Sequence, residues 1–121
     1  MGGRILVVDD DLALLELLIV YLGAEGYEVT PADNASAALR VIEKQKIAAV
    51  ITDALPGFGA LKIIKSFRER NLLGPAILFT GFIEDEISEK ALAAGATMVL
   101  FKPADLKEIS SVLKRLLART A

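Results

Sequence analysis

The chain of 121 residues lacks both cysteine and histidine. Without cysteine it forms no disulfide and offers no thiolate nucleophile, a composition that fits a reducing compartment. Without histidine it has no imidazole general base and no histidine ligand for a metal. Thiol and imidazole catalysis are therefore excluded, and carboxylates, hydroxyls and lysines are left as the groups that can carry chemistry.

The sequence also lacks a dominant charge and a long apolar run. Its 14 basic and 16 acidic residues give a net charge of -2, so we expect no broad basic surface and no direct binding to nucleic acid. The apolar runs are too short or too interrupted to span a bilayer, and residues 1–4 lack the apolar region of a signal peptide. We therefore expect a cytoplasmic protein with no membrane partner.

Short apolar runs alternate along the chain with segments of helical period. The runs predict strands at residues 4–8, 28–30, 48–52, 76–79 and 97–101. The intervening segments predict helices at 12–25, from a cap at Asp33 or Asn34 to about 44, from a Pro-Gly loop to about 70, at 84–94, and at 105–119. This alternation is typical of successive βα units and a parallel sheet in a single domain, 1–121. The weak second strand suits an edge, and the other four suit burial on both faces.

Polar side chains follow four of these strands at the point where each strand ends. They are Asp9, Asp10 and Asp11, then Asp53, Thr80 and Lys102. The carboxyl ends of parallel strands meet at one edge of a sheet, where ligands of open α/β folds bind, so these side chains are expected to share one site. Clustered carboxylates repel one another, and hard oxygen ligands favour Mg²⁺, Mn²⁺ or Ca²⁺.

The carboxylates, the hydroxyl and the ammonium group at these strand ends also suit chemistry on a phosphoryl group. Because the chain has no histidine or cysteine, a carboxylate is the available nucleophile. Asp53 follows the central strand and is best placed to attack phosphorus, while Thr80 and Lys102 are placed to hold phosphoryl oxygens. Each residue also has a simpler reading. Asp10 or Asp11 could cap a helix, Asp53 and Thr80 could be turn residues, and Lys102 could be a solvated surface lysine.

The chain resembles the receiver domains of bacterial response regulators over almost its whole length. The residues that carry the resemblance are Ile5-Leu6-Val7-Val8-Asp9-Asp10-Asp11, Asp53, Thr80-Gly81, Ala93-Ala94-Gly95-Ala96 and Lys102-Pro103. The resemblance implies an α/β, doubly wound (βα)5 flavodoxin-like sandwich whose five-stranded parallel sheet has the order 2-1-3-4-5. It also implies a cis Lys102-Pro103 bond.

The resemblance further implies a phosphoryl-accepting switch rather than a turnover enzyme. Asp53 is the implied phosphoacceptor, Thr80 and Lys102 contact the phosphoryl group, and Mg²⁺ is bound by Asp9, Asp10, Asp53 and the backbone carbonyl of Leu55. The implied phosphodonor is a histidine kinase or a phosphotransfer protein. The signal would pass through helix 4, strand 5 and helix 5 to an effector protein or a fused output domain.

The chain departs from the family pattern at three places. The loop between Asp53 and Pro56 is one residue short. Val99 stands where the family commonly has an aromatic residue, and Phe101, on the same strand face, is expected to be a core residue. Leu55 and Phe82 replace polar residues near the phosphoacceptor, so we expect slow hydrolysis of any phosphoryl group.

These departures keep a second function open, a pseudo-receiver that binds proteins without being phosphorylated. A flavodoxin-like cofactor binder is set aside because the three aspartates after strand 1 would repel phosphate.

Overall fold

The protein is described by a computed structural model over residues 3–81 and 85–120. Its sheet is parallel, with the strand order β2-β1-β3-β4-β5. The strands are β1 (Arg4–Val8), β2 (Glu28–Ala32), β3 (Ala49–Thr52), β4 (Ala76–Thr80) and β5 (Met98–Phe101). The helices are α1 (Leu12–Ala24), α2 (Ala35–Lys44), α3 (Ala60–Arg70), α4 (Asp85–Ala94) and α5 (Leu106–Ala118), with a 3₁₀ turn at Pro56–Phe58. The predicted doubly wound fold and strand order are confirmed.

The three central strands separate two apolar layers because alternate side chains point to opposite faces. On one face, Leu6, Val50 and Leu78 pack with the inward residues of α2, α3 and α4. On the other face, Ile51 and Ile77 pack with those of α1 and α5. Burial on both faces explains why β1, β3 and β4 are almost wholly apolar in sequence.

Polar side chains begin three of the helices. Asp11 accepts the backbone N–H groups of Ala13 and Leu14 at the start of α1. Asn34 accepts the N–H of Ala37 at the start of α2 and is the cap of that helix. Asp105 does the same for α5. Of the candidates at the first helix, Asp11 is therefore the cap, which leaves Asp10 available for another role.

Two expectations from the sequence are wrong for β5, namely that the strand is buried on both faces and that Phe101 is a core residue. Within residues 3–81 and 85–120, β5 is an edge strand that pairs with β4 alone, and its residues are half-buried or exposed. Phe101 is 44% exposed, so its prediction as a core residue is wrong. Val99 does pack against the core. The apolar composition of β5 resembles that of a central strand, but its first three residues are only half-buried and its last residue, Phe101, is exposed.

The other edge strand is longer than predicted. β2 runs to Ala32 and includes Pro31, which an edge strand tolerates because one row of its backbone groups needs no partner strand. The remaining strand bounds agree with the sequence prediction to within one residue. Glu84, the predicted start of the fourth helix, and Phe82 lie outside the described residues.

Arg68 joins two loops at the end of the sheet opposite to the polar strand ends. Its guanidinium donates hydrogen bonds of 2.7 to 3.1 Å to the carbonyls of Asn71, Leu72, Gly74 and Gly95. Burial lowers the pKa of Arg68 from its usual value. The side chain therefore stabilises the connections before β4 and β5.

No helix of the described part of the chain is both long and apolar enough to cross a membrane.

Candidate functional site

The polar strand ends meet at the carboxyl edge of the sheet. Asp9 follows β1, Asp53 follows β3, Thr80 is the last residue of β4, and Lys102 follows β5. Asp9 and Thr80 are buried, while Asp53 and Lys102 are partly exposed. Residues far apart in sequence thus form one cluster, as the strand-end argument predicts.

Three carboxylates lie close together in this cluster. Asp9, Asp10 and Asp53 each place a carboxylate oxygen within 4.8 Å of the other two. Asp10 is exposed, and with Asp53, Leu55 and Pro56 it lines a cleft of about 300 Å³. A cation placed among these carboxylates would reduce their mutual repulsion.

Lys102 supplies part of this positive charge. Its Nζ donates hydrogen bonds to Asp9 Oδ2 at 2.7 Å and to Asp53 Oδ1 at 3.0 Å. Burial lowers the pKa of Lys102, but the hydrogen bonds and charges of the two aspartates outweigh burial and raise it overall. The lysine is therefore positively charged at neutral pH. The Lys102–Pro103 peptide bond is cis, as the family resemblance implies.

The pKa of Asp9 is raised from its usual value. Burial raises the pKa of Asp9, and the nearby charge of Asp53 raises it further, against the lowering effect of Lys102 and of the Asp11 N–H. One ammonium group is shared between two carboxylates, which is why Lys102 gains from both while Asp9 remains incompletely compensated. A second cation would stabilise the ionised form of Asp9.

Both carboxylate oxygens of Asp53 have a hydrogen-bond donor. Lys102 holds Oδ1, and the backbone N–H of Leu55 donates to Oδ2 at 3.0 Å. The Asp53 N–H donates to Val8 O at 2.8 Å, which anchors the residue to β1. Sequence reasoning did not find the Leu55 N–H. A backbone donor leaves no residue-type signal, and the sequence indicated Leu55 for its carbonyl, its apolar side chain and its shortened loop rather than for its N–H.

The Leu55 carbonyl, an expected metal ligand, accepts the Phe58 N–H at 3.2 Å. A carbonyl oxygen has two lone pairs, so one remains after this bond. Leu55 itself lies beside Asp10 and Asp53 in the cleft.

Thr80 lies next to Lys102 through the strand pairing. Its carbonyl accepts the Lys102 N–H at 2.8 Å, and its register partner in β5 is Phe101. The residue is fully buried.

The donor set fits a hard divalent cation. Three carboxylates and a carbonyl are oxygen ligands of the kind Mg²⁺ uses, and no soft ligand stands among them. The raised pKa of Asp9 indicates where extra positive charge would be stabilising. The same cluster holds a carboxylate beside a lysine, an arrangement able to accept and neutralise a phosphoryl group.

A family model described as the response regulator receiver domain matches residues 5–114. The chain belongs to this family. As a receiver domain it is 39% identical to the transcriptional regulatory protein AruR of Pseudomonas aeruginosa, in an alignment that covers 98% of the chain and 51% of AruR. The receiver domain thus spans about half the length of the first curated relatives it matches.

Solved receiver domains share the fold described above. A CheY-like receiver domain from Methanospirillum hungatei superposes with a TM-score of 0.91 at 30% identity, covering 98% of this chain and 96% of that one. The response regulator TrrA of Thermotoga maritima, solved in complex with Mg²⁺ and BeF, superposes with a TM-score of 0.81 at 32% identity, covering 96% and 99%.

Proposed function

We propose that this receiver domain is a phosphoryl-accepting switch in which Asp53 is the nucleophile. The observation that supports this most directly is the position of its carboxylate, held on one oxygen by Lys102 and on the other by Leu55 N–H. In the reaction an oxygen of Asp53 attacks phosphorus. The bond from phosphorus to the donor breaks, its electron pair leaves with the donor, and an aspartyl phosphate forms.

Lys102 and Thr80 are assigned to the phosphoryl oxygens in this proposal. Lys102 already contacts Asp53, and Thr80 is buried next to Lys102. Asp9, Asp10 and Asp53, with the Leu55 carbonyl, are assigned to Mg²⁺. When bound, Mg²⁺ supplies positive charge to the transferring phosphoryl group. The side chains of this chain align the nucleophile and reduce the repulsion between carboxylate and phosphate.

We propose that the phosphodonor is a histidine kinase or a phosphotransfer protein and that the domain acts in the cytoplasm. The proposed output surface is α4, β5 and α5, where Leu92 and Phe101 are exposed. An effector protein or a fused output domain would read this surface. In this proposal the domain is a signalling module and not a turnover enzyme. It has no direct role in binding nucleic acid.

Two contacts can supply most of the energy that such a switch needs. Moving an equilibrium from 1:99 to 99:1 takes about 5.5 kcal/mol of differential binding. Charged hydrogen bonds contribute roughly 1.5 to 3 kcal/mol each, so Thr80 and Lys102 together approach this value. With Val99 in place of an aromatic residue, we expect a partial shift, which amide exchange in α4 and β5 with and without a phosphoryl mimic would measure.

Hydrolysis of the phosphorylated domain is expected to be slow. Leu55, two residues after Asp53, is apolar and buried, so its side chain cannot orient a water molecule. A half-life of seconds, measured by the loss of the phosphorylated mass, would contradict this expectation.

The phosphorylation itself is tested by incubating the protein with acetyl phosphate and Mg²⁺ and measuring intact mass. We expect the gain of one phosphoryl group, its absence in Asp53→Asn, and its loss when EDTA replaces Mg²⁺. Glu108→Gln, at an exposed acid on α5 outside the cluster, is the matched control and should be phosphorylated normally. No gain in the unaltered protein, or a gain that survives Asp53→Asn, refutes the proposal.

The second candidate function is the pseudo-receiver, favoured by one observation. In the short loop after Asp53, the Leu55 carbonyl accepts a hydrogen bond from Phe58 N–H, which makes it a weaker metal ligand than a carbonyl with both lone pairs free. A pseudo-receiver would gain no phosphoryl group from acetyl phosphate and Mg²⁺ but would still bind a partner protein.

A further inference from the structure

Leu55 has a backbone conformation that leucine rarely adopts. Its φ is 66° and its ψ is 159°, a combination found almost only in glycine because a β-carbon clashes there. Phe58 also has a positive φ, of 55°, but Leu55 is the residue whose N–H contacts Asp53. A bulky residue in this region indicates that the surrounding structure imposes the conformation.

Two features of the loop impose it. Pro56 restricts the preceding residue to an extended ψ, as observed for Leu55. The Leu55 side chain is 6% exposed and belongs to the core layer under α2 and α3. With ψ and the side chain both fixed, φ alone sets how the peptide plane carrying the Leu55 N–H is turned toward Asp53.

We propose that Leu55 is a positioning residue, whose buried side chain holds its own backbone N–H on Asp53 Oδ2 and so fixes the nucleophile. The leucine acts through the packing of its buried side chain. The shortened loop makes this necessary, because Pro56 follows Leu55 directly and leaves no spare residue to absorb the turn. This proposal rests on the proposed role of Asp53 as phosphoacceptor.

The proposal predicts an unusual order of substitutions. Leu55→Ala removes the anchor but keeps the β-carbon, so the loop relaxes to a negative φ and the N–H leaves Asp53. Leu55→Gly removes the anchor and the clash together, so the observed φ stays accessible. The hydrogen bond should therefore be kept best by leucine, next by glycine, and least by alanine. If Leu55 only filled space, alanine would be the milder change.

The first readout is the protection of the residue 55 amide. It is obtained by comparing the hydrogen-exchange rate measured by NMR with the intrinsic rate for the residue type at that position. We expect protection in Leu55→Gly to exceed that in Leu55→Ala by about fivefold, with the unaltered protein above both. The second readout is the phosphorylation rate constant at saturating acetyl phosphate, which should follow the same order while the half-saturating donor concentration is unchanged.

The same pair of substitutions at Phe58 is the control. Phe58 shares the positive φ, so glycine should again be more stable than alanine there, but both Phe58 variants should keep more protection at residue 55 than Leu55→Ala. If the Leu55 variants fail to fold, Asp53→Ala provides the test, because it removes the carboxylate that accepts the Leu55 N–H without changing the loop. Residue 55 should then lose protection while residue 58, whose N–H bonds to Leu55 O, keeps it.

Alanine equal to or better than glycine at position 55, or unchanged protection of residue 55 in Asp53→Ala, overturns the proposal. Because exchange is measured without phosphorylation, a failure of the unaltered protein to be phosphorylated refutes only the proposed function.

Discussion

Replacing Lys102 with methionine would leave the carboxylates of the site without their ammonium partner. Lys102 Nζ lies 2.7 Å from Asp9 Oδ2 and 3.0 Å from Asp53 Oδ1, so the substitution removes the two attractions that offset the repulsion between the carboxylates. That repulsion is about 3.5 kcal/mol for two unit charges 4.8 Å apart at an effective dielectric of about 20. Asp9 is almost fully buried, so solvent screens this repulsion poorly. We therefore expect Lys102→Met to lower the free energy of unfolding by about 3 kcal/mol at pH 7 without Mg²⁺.

The free energy of unfolding lost in Lys102→Met should be smaller at lower pH, and the direction of this change follows from the pKa of Asp9. The pKa of Asp9 in the folded protein is raised above its usual value, so the stability it contributes is present at low pH and lost as pH rises through the folded pKa. Removing Lys102 raises that pKa further. The variant should thus regain stability from pH 7 to pH 5, whereas in the unaltered protein Lys102 stays charged over this range because its pKa is raised.

Urea unfolding in EDTA at both pH values measures these differences. Lys114→Met, at an exposed lysine of α5, is the control and should change stability by less than about 0.5 kcal/mol. Asp9→Asn in the Lys102→Met background should recover most of the loss, since the buried charge is removed. A loss below about 1 kcal/mol at pH 7, or no recovery with Asp9→Asn, would refute the electrostatic reasoning.

Three further predictions concern the fold, and each cost is a loss in the free energy of unfolding measured with urea. Arg68→Ala should cost about 2 to 4 kcal/mol because several partly buried carbonyls lose their donor, and Arg68→Lys should recover only part of it; a loss near zero would contradict the role of Arg68. Asn34→Ala should cost about 1 kcal/mol and Asp33→Ala much less, since Asn34 is the cap; the reverse order would contradict this. Phe101→Ala should cost less than about 1 kcal/mol and Phe67→Ala about 3 to 5 kcal/mol, because only Phe67 is buried; equal losses would show Phe101 to be a core residue.

The order of strands and helices could be predicted from the sequence because each element carries its own periodicity. The strands β1, β3 and β4 are short apolar runs, and α2, α3 and α5 have apolar residues on one side. Phe101 could not be placed in this way. An apolar residue near the end of an edge strand has the same local pattern as one in a central strand, and its exposure depends on how far the helices extend over the strand.

The side chains of the candidate site could be predicted because they stand at strand ends, and parallel strands bring their carboxyl ends together. The sequence did not predict the Leu55 N–H on Asp53, since every residue except proline carries the same backbone donor. It did indicate that the loop after Asp53 was short. The physical consequence, a leucine with a positive φ, requires the positions of Asp53, Pro56 and the core together.

The most direct test of the central claim is to locate the phosphoryl group. Protein phosphorylated with acetyl phosphate and Mg²⁺ is reduced with borohydride, which converts an aspartyl phosphate to homoserine, and the modified residue is then identified by peptide mass spectrometry. The account predicts homoserine at position 53 alone. Homoserine at Asp9 or Asp10, or none at any position in a protein that has gained a phosphoryl group, would contradict it.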